Sequence, residues 1–203
     1  MIDKNDSSIG GKNRYEIIVH GRGGQGAKTT AEILAQAGLA AGKFVQAFPE
    51  FGPERSGAPL RTFVRIADEF IRSHEPIVEP DAVLILDEGL LNTEKVDKNI
   101  HFAKVVIINT VKSVEKITKI LQKNEAFVNK FSGEVVVVDA SGIAQEIVGQ
   151  NRPNTVILGK FAAMNDMINI EDVVAAFEDK YIKKIGEEAT AKNVEAIRFA
   201  SRK

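Results

Sequence analysis

The chain has 203 residues, 44% of them hydrophobic, enough to bury one large α/β core, so a single domain is expected. Its 27 basic and 28 acidic residues leave a formal charge of -1, so no net field recruits nucleic acid, a membrane surface or a polyanion. It contains no cysteine, which removes disulfides, thiolate nucleophiles and thiolate-held zinc or iron–sulfur sites from this chain and leaves any such cofactor to a partner.

Residues 1–13, MIDKNDSSIGGKN, are polar and are expected to form a flexible arm, with the fold occupying 14–203. The arm lacks the apolar core of a signal peptide and no later run is long enough to cross a bilayer, so a soluble cytoplasmic protein is expected. Ile17, Ile18 and Val19 predict a buried strand. Residues 27–41, rich in alanine with Ile33, Leu34 and Ala37 on one side, predict a helix packed closely on a sheet. A second strand follows at 44–48, then a loop stiffened by Pro49, Gly52, Pro53, Gly57 and Pro59 that carries Glu50, Glu54 and Arg55. Residues 60–66 alternate as a strand, and Ala67-Asp68-Glu69 is expected to turn it into a hairpin partner at 70–72, making the sheet mixed.

Three apolar runs, 82–86, 105–108 and 135–138, lead into Asp87, Asn109 and Asp139, as strands of an α/β sheet do at a wet upper edge. Residues 113–122 place Val114, Ile117, Ile120 and Leu121 at helical spacing. Beyond Asp139 the pattern is helical, at 143–148, 155–164, 170–185 and 187–200. The expected architecture is a three-layer Rossmann-like α/β domain with a mostly parallel, mixed sheet and a helical C-terminal third that wraps the sheet and supplies interface.

The chemistry concentrates where the first strand meets its helix. Gly21, Gly23 and Gly26 fit G-x-G-x-x-G directly after the strand, with Gly24 in addition. Backbone without Cβ turns sharply and approaches a ligand closely, and the first N–H groups of the helix favour an anion. As a dinucleotide loop the pattern lacks a well-placed ribose carboxylate, because Pro49 separates Glu50 from its strand. As a Walker A loop it fails in register, since Ala27 stands between Gly26 and Lys28. A plain tight turn remains open, although Gln25 adds an amide able to donate and accept towards a bound group. His20, His74 and His101 are isolated and are expected to be structural or surface residues. Asp87, Glu88 and Asp139 are expected to cap strand ends, and with no triad, carboxylate pair or activated lysine the isolated chain is expected to be inactive.

The segments HGRGGQGAKTTAEILAQA and QAFPEFGPERSGAPLRTFVRI together resemble the gamma subunit of 2-oxoacid:ferredoxin oxidoreductases, particularly the pyruvate and 2-oxoisovalerate types. The likeness is strongest over 15–66 and continues through DAVLILDEGLL, VVIINT, ILGKFAAM and NVEAIRFA. The resemblance implies a non-redox subunit of a heteromeric enzyme (EC 1.2.7 type) that turns 2-oxoacid, coenzyme A and oxidised ferredoxin into acyl-CoA, CO2 and reduced ferredoxin. It implies that thiamine diphosphate, Mg and 4Fe-4S clusters sit on alpha, beta and delta-type partners, that ferredoxin accepts electrons from the complex, and that this chain binds no cofactor tightly.

Carried over position by position, Gly21, Gly23, Gly24, Gln25 and Gly26 match the family's glycine-rich loop, and Glu54 and Gly57 its second motif. Many members have arginine directly before that glycine, where this chain has Ser56 preceded by Arg55. The expectation is that both loops form one rim facing the catalytic subunits and holding coenzyme A. Its phosphates would lie on the N–H groups of residues 23–27 and on Arg22, Lys28 or Arg55. Alternatives are a self-sufficient dinucleotide-binding protein, and a purely structural assembly subunit with Phe48, Phe51 and Pro53 as anchors against a partner rather than in this chain's own core. Expressed alone, the chain is expected to form a homodimer through its C-terminal helices.

Overall fold

The computed structural model describes residues 14–50 and 57–202. In chain order these are β1 (Arg14–Arg22), α1 (Ala27–Ala40), β2 (Phe44–Pro49), β3 (Pro59–Ala67) and β4 (Ala82–Ile85). A 3-10 turn (Glu88–Leu90), α2 (Glu94–Asp97) and a second 3-10 turn (Ile100–Phe102) lead to β5 (Val105–Asn109). There follow α3 (Val114–Leu121), α4 (Glu125–Lys130), β6 (Glu134–Val138), α5 (Ala140–Val148), α6 (Pro153–Ala162), α7 (Ile170–Ile185) and α8 (Glu187–Ser201).

The strands form one sheet in the order β2-β3-β1-β4-β5-β6. β1, β4, β5 and β6 run parallel, and β3 lies antiparallel between β1 and β2. The sheet is mixed, as expected, but the predicted hairpin at 70–72 does not form, and these residues are not in a strand. Both edges of β3 are already taken, by β1 and β2, so no ladder is open to them. Phe70 is instead exposed and meets Phe44 edge-on.

Alternation along each strand divides the core into two layers. Ile17, Val19, Val64, Leu84 and Ile107 face α1 and the C-terminal helices α5 to α8. Val83, Ile85, Val106 and Ile108 face the opposite way, against the segment from Leu90 to Ile100 and against α3 and α4. Ile18, Phe63 and Ile77 close that side over the antiparallel strands, joined by Phe48, whose ring lies 5.2 Å from that of Phe63. Phe48 is thus partly buried against this chain's own core, and Phe51 and Pro53 lie outside the described residues.

A charged pair sits inside the sheet. Glu16 and Arg65 face each other in the β1–β3 register, and Arg65 Nε donates to Glu16 Oε1 at 2.8 Å. The same guanidinium donates to Gln46 Oε1 and to the Glu75 carbonyl, so the buried charge is satisfied on every side.

The chain leaves β1 towards one face, through α1, and leaves β4 towards the other, through the 3-10 turns. The carboxyl ends of β1 and β4 thus flank the point where the winding reverses, which is where open α/β sheets leave a crevice for ligands.

Candidate functional site

Gly21, next to the end of β1, is closely packed: a Cβ there would lie 3.2 Å from both Ala27 and Leu86. The chain then turns on itself. Gln25 N–H donates to the Arg22 carbonyl, while Gln25 Oε1 accepts from Arg22 N–H at 2.7 Å. Gly24 and Gly26 have φ of 95° and 87°, a left-handed region that side chains with Cβ avoid. Gly26 meets a second constraint, because its Cβ would fall 2.7 Å from Asn154 Cγ.

Asp87 locks this turn across the crevice. Its Oδ2 accepts from Gln25 Nε2 at 2.9 Å and from Arg22 Nε at 3.0 Å, and its Oδ1 accepts from Gly89 N–H at 2.8 Å. Burial pushes the Asp87 carboxyl up, but the hydrogen bonds from Gln25 and Gly89 and the Arg22 charge outweigh it and hold the group below the usual carboxylate range.

The second loop is bound to the same turn. Gly23 N–H donates to the Ala58 carbonyl at 3.0 Å, Gly57 N–H donates to the Gly23 carbonyl at 3.3 Å, and Arg22 Nη1 reaches the Gly57 carbonyl. The structure therefore gathers Gly21, Arg22, Gly23, Gly24, Gln25, Gly26 and Gly57, and Glu54 and Arg55 lie outside the described residues. Lys28 points outward from α1, exposed and without an ion pair to any described residue.

One expectation needs correction. The N–H groups of Gly23 and Gln25 and the guanidinium of Arg22 are consumed inside the rim, so of this set the Gly24, Gly26 and Ala27 N–H groups and Lys28 remain for a ligand. Glu50 binds Arg61 through both oxygens, at 2.7 and 2.8 Å, which agrees with the expectation that it is no ribose carboxylate.

Behind the turn lies a cavity of about 320 Å3 that the sequence reading did not find. Gly24, Gln25 and Gly26 form one wall, and Thr29, Arg152, Asn154, Tyr181 and Asn193 contribute to the others. Phe177 stacks on Tyr181 at 4.7 Å to give it an aromatic side. The sequence signal was Arg152-Pro153-Asn154, a proline at the first position of α6, which marks a helix start but not what that start faces.

The family model for pyruvate ferredoxin/flavodoxin oxidoreductase matches residues 16–202. The chain belongs to that family. A relative from Thermococcus kodakarensis, the common gamma subunit of pyruvate/ketoisovalerate oxidoreductases, is 44% identical over 188 residues, 93% of this chain and 96% of the relative. The pyruvate synthase subunit PorC of Thermotoga maritima is 39% identical over 187 residues, 92% and 93% of the two chains. The crystal structure of the Thermotoga maritima pyruvate oxidoreductase subunit PorC superimposes with a TM-score of 0.79 and 35% identity, covering 95% of this chain and 97% of that one. These homologues are subunits of keto-acid oxidoreductase complexes, which favours the gamma-subunit expectation over a self-sufficient dinucleotide enzyme.

The other polar groups on the sheet edge of this oxidoreductase-family chain have local tasks. Glu88 takes hydrogen bonds from Lys112 Nζ at 2.6 Å and from the Thr110 hydroxyl, which hold its carboxyl below the ordinary range. Asn109 bonds the Leu86 carbonyl and exchanges hydrogen bonds with Ser141, and Asp139 caps α5 by accepting from Gly142 N–H at 2.8 Å. Of the capping expected for Asp87, Glu88 and Asp139, the Asp87 and Asp139 side chains do accept from backbone N–H groups, whereas Glu88 is taken by Lys112 and Thr110. His20 is buried, His74 bonds Gln46, and His101 stacks on Phe102. Among the described residues no cluster of His, Asp and Glu has the makings of a metal site, and no helix is long and apolar enough to cross a membrane.

Proposed function

We propose that this chain is the non-redox gamma subunit of a heteromeric 2-oxoacid:ferredoxin oxidoreductase of the pyruvate or 2-oxoisovalerate type. The complex converts 2-oxoacid, coenzyme A and oxidised ferredoxin into acyl-CoA, CO2 and reduced ferredoxin. The carrying observation is that the glycine turn and the second loop are hydrogen-bonded through Gly23 into one rim, at the crevice where the winding of the sheet reverses. Residues 14–203 act as one gamma-type domain. Alpha, beta and delta-type partners carry thiamine diphosphate, Mg and 4Fe-4S clusters, since this chain has no cysteine to bind a cluster. The assembly is cytoplasmic and delivers electrons to ferredoxin.

Within it the rim holds coenzyme A and a catalytic partner together. The Gly24 and Gly26 N–H groups and the charge of Lys28, joined by Arg55, meet its phosphates, while Arg22 and Asp87 keep the turn in shape. What this chain contributes is position: a bound, oriented thiol acceptor of the acyl group reacts far more readily than a free one.

Reconstitution with the three partner chains tests the reading. Ferredoxin reduction by 2-oxoacid and coenzyme A should require this chain, and the chain alone should be inactive. Gly24→Asp places a carboxylate beside the phosphates and should raise the KM for coenzyme A at least about tenfold. Full activity of partners lacking this chain would sink the subunit role; an unchanged KM in Gly24→Asp would sink the coenzyme A role alone.

A further inference from the structure

The sheet ends at β2, whose outer edge is open among the described residues. Its register with β3 fixes which backbone groups point outward. Glu50 N–H donates to the carbonyl of Arg61 opposite it. By the alternation of an antiparallel ladder, Phe48, Gln46 and Phe44 then also bond inward to β3, and Val45 and Ala47 turn their N–H and C=O groups away from it. No described residue takes up those outward groups. The open stretch has sharp limits. Lys43 N–H is spent on the Gly38 carbonyl at 2.9 Å, and Pro49 has no N–H to give. Between them, residues 44–48 hold no charge, proline or glycine of the kind that blunts a sheet edge.

Two open residues placed symmetrically about Gln46 make this edge complementary to itself. About a two-fold axis through Gln46, Val45 of each copy lies opposite Ala47 of the other, and every open N–H of the stretch meets an open C=O. The same register sets Phe44 of each copy opposite Phe48 of the other, as an aromatic cross-strand pair. The side chains around the edge agree. On one face Phe44 and Phe70 are 46% and 72% exposed, their rings 6.2 Å apart. On the other face Leu39 is 59% exposed, on α1 beside Gly38, which packs against Val45. The axis stands perpendicular to the sheet, so it brings both Phe44–Phe70 pairs to one face and both copies of α1 to the other. Exposed apolar residues on both sides of an open ladder are what a second strand and its flanks would cover.

We propose that β2 pairs with β2 of a second copy of this chain, antiparallel about Gln46, and joins two six-stranded sheets into one. This surface does not involve the C-terminal helices, where the sequence placed self-association. It also leaves Gly23, Gly24 and Lys28 of the rim untouched, so it stands apart from the coenzyme A reading.

Sedimentation of the full chain and amide exchange test it. The chain should show a monomer–dimer equilibrium. Exchange should slow at Val45 and Ala47 as the dimer fills, while Gln46 and Phe48, already bonded to β3, stay slow throughout. Ala47→Pro removes an outward N–H and keeps the β3 ladder, so it should weaken dimerisation at least about tenfold while the circular dichroism stays native. Phe44→Lys, a surface change that leaves the backbone alone, should weaken it as much. Ile182→Ser, on the exposed side of α7, should alter it by less than about twofold. A chain that stays monomeric up to about 1 mM, a dimer that survives both Ala47→Pro and Phe44→Lys, or one lost in Ile182→Ser instead would overturn the pairing. Slowing at Val45 and Ala47 that appears only when the partner subunits are added would also overturn it, and would assign the edge to one of them.

Discussion

Arg65 and Arg22 each tie β1 to another segment through a carboxylate, with nearly the same Nε–oxygen distance, 2.8 Å to Glu16 and 3.0 Å to Asp87. Their surroundings differ. The Arg65 and Glu16 side chains are 2% and 4% exposed, whereas those of Arg22 and Asp87 are 35% and 23% exposed. Geometry alone does not tell the pairs apart; access to water does. A pair sealed in the sheet commits the fold, because removing either partner strands a charge in a medium that cannot solvate it. A pair at the crevice contributes little to stability and instead selects one conformation of a glycine turn that could adopt several.

The contrast is broken most forcefully at Glu16. Glu16→Ala should cost about 3–5 kcal/mol in urea unfolding, and a loss no greater than that of an Asp87 variant would erase the distinction. The glycines come next. Gly26→Ala combines a positive φ with the Asn154 amide and should cost about 2 kcal/mol, whereas Gly24→Ala, with open space around it, should cost about 1 kcal/mol. Adding Asn154→Ala to Gly26→Ala should return the steric part of the loss, as a double-mutant cycle would show.

Smaller still is Asp87→Asn, which keeps the shape and removes the charge. It should change stability by less than about 1 kcal/mol but speed amide exchange at residues 23–26. Its pH signature is more telling. The folded Asp87 carboxyl lies below its ordinary value, so its stabilisation is complete above the unfolded pKa of about 3.9 and is lost as pH falls through the lower folded value. Melting temperatures taken below about pH 4 should fall less steeply in Asp87→Asn than in the parent chain. Least of all, Arg198→Ala should leave the melting temperature unchanged, since its pair with Glu171 is exposed.

Much of this layout is readable from the residues. The runs at 17–19, 82–86, 105–108 and 135–138 are apolar on both faces because those strands are covered on both faces, and all became strands. The short helices α2 and α4 escaped notice, because one or two turns cannot establish a helical period. The strand misplaced at 70–72 had suitable residues but no free neighbour, and strand formation is decided by a partner's edge as much as by composition. At the site, the glycine spacing was legible because the constraint is local. The roles of Asp87 and Asn154 were not, since each meets the turn only through the fold, and an aspartate after an apolar run or an asparagine after a proline has the same appearance in a chain where it does neither.

The position of β1 also fixes when the site can exist. The strand is made first, yet both its neighbours, β3 and β4, come much later in the chain, so on the ribosome it has no ladder to join until the sheet's middle has emerged. Asp87 arrives immediately after β4 and can lock the turn at that moment; Asn154 arrives only after β6 and α5. A nascent chain halted between them would hold a set glycine turn over an unfinished pocket. The residues of β1 and its turn are thus made early and acquire their purpose late, and fragments ending before α6 should display the rim without the chamber behind it.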